Sequence, residues 1–508
     1  MRGASHVAGI DPERILLTGA TGYVGGRLLR RLEARGLPVR CLVRRAVALE
    51  GRVGPRTEIA EGDALDPVSL TRAIRGTHAA YYLIHSMGAG KDFAERDRAA
   101  ARLFGEECRR NGVERIVYLG GLGRSGPGLS EHLRSRQETG DALREAGVPV
   151  VELRASIVLG SGSLSFEMIR ALVDRLPVMI WPRWVSTPTQ PIAIDDVLAY
   201  LLAALELPEG PSRIYEIGGP DRVTYGDLMR EYARQRGLRR IYIRVPLLTP
   251  RLSSLWLGLV TPIYARVGRK LIEGVRNATV VRDDSALRDF AIRPAGVRES
   301  ISRAIASEGQ SGAETRWYQS RSSSAIFPRP DRKRRTRTFL DERRSEVDAP
   351  PEAVFAAVSR LGGSAGWYSH GLLWRIRGIL DLLFGGVGYR RGRRHPDELV
   401  AGDYVDFWRV EAVEPPRRLR LEAEMRLPGR AWLEFEVEPR PDGGSRLRQT
   451  AIFEAHGLSG KLYWWLVSPF HHLVFGGLLA GIASRAMRTE PPVPSEPETD
   501  LRARLSVR

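Results

Sequence analysis

The sequence predicts a doubly wound α/β domain with a parallel sheet, followed by a smaller α+β domain. Three observations predict it. A glycine-rich turn joins a short apolar strand to an amphipathic helix near the start of the chain. Apolar strands and amphipathic helices then alternate up to about residue 305, as parallel strands joined by crossover helices do. Beyond a Ser/Gly/Arg-rich stretch the rhythm changes to runs of alternating polar and apolar residues separated by Pro and Gly turns, the pattern of antiparallel strands.

The first strand, Ile15–Thr18, runs into Gly19-Ala20-Thr21-Gly22-Tyr23-Val24-Gly25-Gly26 and then into a helix ending near Arg35. The spacing of Gly19, Gly22 and Gly25 gives each glycine a separate task. The first allows the turn, the second lets backbone approach a pyrophosphate, and the third lets helix pack on strand. The helix N-terminus presents unpaired N–H groups and the positive end of its dipole to phosphates. This predicts dinucleotide binding by Thr18, Gly19, Ala20, Thr21, Gly22, Tyr23, Val24 and Gly25. The second strand, Val39–Val43, ends in Arg44-Arg45, where an NAD-selective site would carry an acidic residue for the ribose 2′-hydroxyl. A guanidinium there can grip a 2′-phosphate through charge-assisted hydrogen bonds. The expected cofactor is therefore NADP(H), with NAD(H) second. The competing reading is a pair of solvated arginines in an arginine-rich chain.

Thr18-Gly-Ala-Thr-Gly-Tyr-Val-Gly25 resembles the short-chain dehydrogenase/reductase superfamily in its extended or atypical branch, and the resemblance covers about the first 305 residues. It implies a Rossmann fold in which Glu61-Gly-Asp63 ends the third strand, Ala79–Ser86 holds the fourth, Arg115–Gly120 the fifth and Val150–Ala155 the sixth. Thr189–Val197 is similar to the segment that returns the chain from the substrate lobe to the core. The resemblance implies further nucleotide contacts at Asp63 and Ala64, Ile84 and His85, and Leu119. Members of the superfamily use a Ser and a Tyr-x-x-x-Lys pair for catalysis, and here the chain departs from them. His132 occupies the Tyr slot and Arg136 the Lys slot, while Gly120-Gly121 replaces the usual Ser or Thr. An arginine stays charged and can still hold a ribose hydroxyl, and a histidine can donate a proton near neutral pH. His132 and Arg136 are thus the candidate catalytic pair. The alternative is a site that binds nucleotide without chemistry, as the resemblance to NmrA-like redox sensors and to the accessory subunit of respiratory complex I implies.

Composition bounds the rest. With 508 residues the chain is long enough for two or three full cores. Its two cysteines, Cys41 and Cys108, exclude a disulfide scaffold and suit a reducing cytoplasm. The first ten residues contain no apolar segment of signal-peptide length. The net charge of +18 is almost wholly arginine, since Lys91, Lys270, Lys333 and Lys461 are the only lysines. These arginines are spread along the whole chain without a reader motif, which argues against a nucleic-acid partner. No metal-ligand spacing is present; His471 and His472 are adjacent and would point about 100° apart on a helix.

Residues 307–337 read as a basic linker and 491–508 as a disordered tail. Between them, 338–490 shows an edge strand (Thr338–Val347), a proline-led helix (Asp348–Val358), four alternating runs (Asp403–Val410, Arg418–Met425, Arg430–Val437 and Ser445–Phe453) and a closing apolar segment. In that order they resemble the START-like, SRPBCC helix-grip fold, in which a sheet wraps the last helix around an apolar cavity. The resemblance implies a hydrophobic small-molecule ligand. The two-domain arrangement is similar to a group of bacterial atypical short-chain dehydrogenase/reductases with an uncharacterised SRPBCC-like domain at the C-terminus.

Leu462–Ser484 carries no charge across 23 residues, a length of roughly 33 Å as a helix. Three readings stay open: a cavity helix, an interfacial helix anchored by Tyr463, Trp464 and Trp465, or a span, against which Pro469 and the His pair argue. Val245–Val260 and Leu372–Phe384 are also unusually apolar. They predict core packing or a mouth that takes a lipid-like substrate from a membrane. Two functions follow: an NADP(H)-dependent oxidoreductase of a hydrophobic, quinone- or isoprenoid-like substrate, or a non-catalytic NADP(H)-binding sensor or lipid-handling factor. Either is expected in the cytoplasm, with association at the inner face of the membrane as an option.

Overall fold

The computed structural model describes residues 14–50, 52–84, 93–124, 126, 128–245, 274, 276–307, 336–363, 365–383, 397–425 and 427–488. His85, most of the apolar run 245–260, the linker run 308–335 and the tail lie outside them.

The first half opens with β1 (Ile15–Thr18), α1 (Tyr23–Ala34), β2 (Val39–Val43), β3 (Thr57–Glu61), α2 (Pro67–Ile74), β4 (Ala79–Tyr82), α3 (Phe93–Arg110), β5 (Arg115–Gly121), α4 (Glu131–Glu145) and β6 (Val150–Ala155). With β11 (Arg213–Ile217) these strands form one parallel sheet in the order β11-β6-β5-β4-β1-β2-β3. β1, β2 and β4 are buried along their whole length, as strands covered by helices on both faces must be. Successive residues point to opposite faces: Ile15 and Leu17 join a cluster with Leu28 and Leu32 of α1, while Leu16 joins Leu70 of α2, Phe104 of α3 and Leu143 of α4. Each such side chain, fully buried, is worth about 1.5–3 kcal/mol. α1 stops where Gly36, at φ +71, lets the Leu37 N–H reach back to the Leu32 carbonyl at 3.2 Å.

From β1 the chain builds toward β3 on one side and, from β4, toward β11 on the other. The topological switch point lies between β1 and β4, and in open α/β sheets ligands bind in the crevice outside the strand C-termini there. The rest of this half is β7 (Val158–Leu159), α5 (Leu164–Arg175), β8 (Val178–Trp181), β9 (Pro188–Thr189), β10 (Ile192–Ala193), α6 (Ile194–Glu206), β12 (Val223–Thr224), α7 (Tyr225–Gln235), β13 (Ile241–Arg244), α8 (Ser285–Asp289) and α9 (Val297–Ala306), of which α6 and α8 pack on the parallel sheet, Tyr200, Leu201 and Ala286 joining the cluster of Ile15 and Leu17.

The second half is mostly an antiparallel sheet. β14 (Thr336–Val347), β15 (Tyr404–Val405), β16 (Trp408–Glu414), β17 (Arg418–Ala423), β18 (Gly429–Pro439) and β19 (Ser445–His456) lie in the order β14-β19-β18-β17-β16-β15. α10 (Pro351–Ser359), α11 (Gly371–Leu383) and α12 (Gly457–Ala486) complete it. Residues Asp403–Val410, read from sequence as one strand, are instead a hairpin in which Tyr404 pairs with Arg409 and Val405 with Trp408. Asp406 turns the chain at φ +55, a conformation Asp tolerates better than most residues, and its carboxylate accepts from Trp367 Nε1 at 2.8 Å. The next residue, Phe407, is fully buried and stacked on Trp367, so an apolar residue in the turn masked it. α12 bends by 46° between Gly457–His471 and Leu473–Ala486, with Pro469 just before the break. Among the described residues no single helix is long and apolar enough to cross a membrane.

Candidate nucleotide-binding site

The glycine turn has the backbone that two of its three expected tasks require, the tight turn at Gly19 and the close approach of helix to strand at Gly25. Gly19 has φ +75, and a Cβ there would lie 2.5 Å from the Leu83 carbonyl oxygen. A Cβ on Gly25 would come within 2.2 Å of the Gly19 oxygen, which is how tightly α1 packs against the turn. Gly22 is the N-cap of α1, has no side chain to cap the helix, and no acidic residue stands in the first turn. The helix end is thus left for an external anion. Thr18 has another duty. Its buried hydroxyl donates to the Tyr81 carbonyl at 2.9 Å and accepts from the Leu83 N–H at 3.1 Å, pinning β1 to β4 at the switch point.

Arg44 and Arg45 follow β2 and are exposed. They line a cleft of about 300 Å³ together with Thr21 and Arg52. Asp63 stands beyond β3, where its carboxylate accepts from the Leu65 N–H at 3.1 Å and its own N–H donates to Ser69 Oγ at 3.0 Å. Ala64 is in the same turn, and Ile84 follows β4, both half-buried.

At the far end of the crevice the departures from the family pattern acquire a structural reason. Arg136 on α4 donates to the Leu119 carbonyl of β5, and its own carbonyl accepts from Tyr118 Oη at 2.8 Å. A Cβ on Gly121 would lie 3.1 Å from Arg136 Cδ, and one on Gly120 would lie 2.9 Å from a carboxylate oxygen of Glu152. Glu152 is fully buried and salt-bridged to Arg144 and to Arg154. The double glycine therefore makes room for the side chains of Arg136 and Glu152 at the end of β5. Tyr118 cannot replace the missing Tyr: burial pushes its phenol up, and its hydroxyl is committed to Arg136. His132 is half-buried in the first turn of α4, four residues before Arg136 and so on the same helix face. Asn277 clips this helix start in place, accepting from the Ser130 N–H at 3.0 Å and donating to the Gly128 carbonyl at 2.8 Å.

Sequence reasoning missed a triangle of hydroxyls beyond β6. Ser156 Oγ lies 2.8 Å from Thr189 and 2.6 Å from Thr279, and the two threonines are 2.9 Å apart. Three residues so distant in the chain carry no common signal. It also missed the polar floor of the second sheet. Asp341 and Arg343 form a 3.0 Å ion pair on β14, Gln449 beside them is 1% exposed, and His471 of α12 is 3.5 Å from Asp341. Burial, with help from Arg343, pulls the His471 pKa below its usual value against the opposing pull of Asp341.

Residues 19–156 match a family described as NAD(P)H-binding. The first domain is an NAD(P)H-binding Rossmann domain. Residues 334–478 match a family described as a protein of unknown function (DUF2867). Among curated proteins the chain is 28% identical over 241 residues to ceramide reductase of Caulobacter vibrioides, an alignment spanning 46% of this chain and 73% of that one. It is 34% identical over 115 residues to sterol demethylase protein B of Methylococcus capsulatus, spanning 22% and 35%. It is 24% identical over 254 residues to the chloroplastic divinyl chlorophyllide a 8-vinyl-reductase of Oryza sativa subsp. indica, spanning 46% and 61%. The NAD(P)H-binding domain thus falls among reductase-like relatives.

Proposed function

We propose that this protein is an NADP(H)-dependent reductase of a hydrophobic, quinone- or isoprenoid-like substrate. The cofactor choice rests on one observation: the residues that directly follow β2 beside the glycine turn are two exposed arginines, Arg44 and Arg45, and both line the cleft there. Bound there, the nicotinamide cofactor supplies the hydride. Gly19, Gly22 and Gly25 would hold its pyrophosphate on the α1 N-terminus, Arg44 its 2′-phosphate and Arg136 its nicotinamide ribose, while His132 would give the substrate its proton. Arg44→Ala is expected to weaken NADPH binding by about 10- to 100-fold, the loss of one charge-assisted contact worth roughly 1.5–3 kcal/mol, and to leave NADH binding unchanged. Calorimetric titration checks this; equal affinity of the wild type for both nucleotides would contradict it.

The substrate class draws on the names of the relatives, which refer to a ceramide, a sterol and a chlorophyllide. It draws also on the second domain, which we read as a helix-grip module handling an apolar ligand beneath α12. That helix is apolar on both faces. Phe475, Leu478, Leu479 and Ile482 pack inward, while Leu458, Leu462, Trp465 and Leu466 are each at least 70% exposed. On α11, Leu372, Ile376 and Leu380 repeat the pattern at one-turn spacing. A stripe of this kind on a chain of net charge +18 fits an anionic lipid surface. The protein is expected to co-sediment with phosphatidylglycerol vesicles and not with phosphatidylcholine vesicles, and Leu462→Glu with Leu466→Glu to abolish that binding. Retention by the double variant would remove the stripe from the interface.

One observation favours a second reading, a nucleotide-binding sensor without turnover. The room that Gly120-Gly121 leaves at the end of β5 is taken by Arg136 and Glu152, and Arg136 is already tied to the Leu119 carbonyl. The His132 variant described in the Discussion separates the two readings.

A further inference from the structure

The cleft at the end of β2 is not built by the first domain alone. Gly402, Arg409 and Glu422 of the second domain line the same space of about 300 Å³ as Arg44, Arg45 and Arg52. The two walls are fastened together: Arg52 donates to Asp403 at 2.8 Å, and the Asp403 carboxylate is only 1% exposed. The other carboxylate oxygen of Asp403 accepts from the Val400 N–H at 3.1 Å, so the partner of Arg52 is held rigidly. A carboxylate withdrawn from water at a domain seam is a costly thing to leave unpaired, unlike one in a surface ion pair.

The charges of the cleft favour an anion. Arg44, Arg45, Arg52 and Arg409 line it with Glu411 and Glu422; Arg52 is paired with Asp403 and Arg409 with Glu424, so the exposed Arg44 and Arg45 carry the excess positive charge. The two lining glutamates have arginines of their own on the second sheet, Glu411 with Arg420 at 3.0 Å and Glu422 with Arg430 at 2.7 Å. Arg409 is buried and fixed by Glu424 at 2.8 Å and by the Tyr404 hydroxyl, so it is a rigid, already paired part of the wall that needs no ordering when an anion binds. A phosphate enclosed between such walls is attracted more strongly per charge than one on an open surface.

We propose that the second domain forms the outer wall of the pocket for the adenosine 2′-phosphate end of the cofactor, so that NADP(H) binding and the docking of the two domains are one linked equilibrium. The proposal rests on the NADP(H) reading above and adds to it a site shared between domains. By linkage, whatever factor docking contributes to nucleotide affinity, nucleotide returns to docking. The domain read as handling the apolar ligand would in this way sense whether cofactor is present.

The test uses the full chain and adenosine 2′,5′-bisphosphate, which carries only the end of the cofactor in question, with hydrogen–deuterium exchange as readout. Bound ligand is expected to protect residues 43–52 of the first domain and also 400–411 and 418–423 of the second. Arg52→Ala is expected to weaken the bisphosphate about tenfold and to erase the protection in the second domain. Asp403→Asn, which keeps the wall and removes the charge that fastens it, is expected to erase the same protection with a smaller loss of affinity. Protection confined to the first domain, or unchanged affinity in Arg52→Ala, overturns the shared pocket and leaves the NADP(H) reading standing. A wild-type protein that does not bind the bisphosphate overturns both.

Discussion

Gly22→Asp is expected to lower nucleotide affinity by roughly a hundredfold or more while leaving the melting temperature close to that of the wild type. The two halves of this expectation come from the same position. Gly22 is the N-cap of α1 at φ −87 and ψ 174, a conformation open to any residue, and a Cβ there meets only the Gly19 oxygen at 3.1 Å. Aspartate is among the best N-cap residues, because its carboxylate accepts from the first free N–H groups of the helix. The fold therefore gains a cap. Those same N–H groups are the ones a pyrophosphate would use, and the new negative charge stands where the phosphates must lie. Losing two charge-assisted hydrogen bonds at about 1.5–3 kcal/mol each gives the stated loss. Fluorescence titration with NADPH alongside thermal denaturation measures both halves. A variant that binds NADPH as the wild type does would show that this turn is not the pyrophosphate site. Gly25 would be a poorer probe, since a Cβ 2.2 Å from the Gly19 oxygen would disturb the packing of helix on strand and confuse binding with folding.

The second large effect concerns turnover. His132→Phe is expected to reduce NADPH oxidation with the best substrate of a quinone and enone panel by about 100- to 10,000-fold, the usual worth of a general acid, with NADPH affinity nearly unchanged. Arg136→Ala is expected to lower both, because its guanidinium sits at the end of β5, bonded to the Leu119 carbonyl, where it would also hold the nicotinamide ribose. The progress of the reaction is read from NADPH absorbance. Undiminished turnover in His132→Phe would take His132 out of the mechanism. A wild type that binds NADPH and oxidises it with no member of the panel would favour the sensor reading, in which His132 and Arg136 serve binding alone.

Much of this site could be read before the fold was known, and the residues show why. The glycine turn was legible because its tasks are local: a positive φ at Gly19, a bare N-cap at Gly22 and a close helix approach at Gly25 are each demanded by a few consecutive residues. The end of β2 was legible because strand length and crossover length place it, and Arg44-Arg45 follows Val43 directly. Asp403–Val410 was misread because the residue that makes the turn, Asp406, is followed by a buried aromatic, and periodicity alone cannot tell a strand from a hairpin whose turn carries a core side chain.

By itself, then, the sequence determined the parallel α/β domain, its glycine turn, the change to antiparallel strands near residue 336 and the apolar character of the last helix. All of these depend on the repeat and conformational preferences of neighbouring residues. Only the tertiary structure decided what long-range neighbours do with them. It assigned the Thr18 hydroxyl to the seam between β1 and β4, filled the space over Gly120-Gly121 with Glu152 and Arg136, left one apolar face of α12 in solvent, and set Asp403 against Arg52. Arg52 and Asp403 are 351 positions apart. No local periodicity encodes such a pair, because which distant groups share a buried space is settled by how whole elements pack.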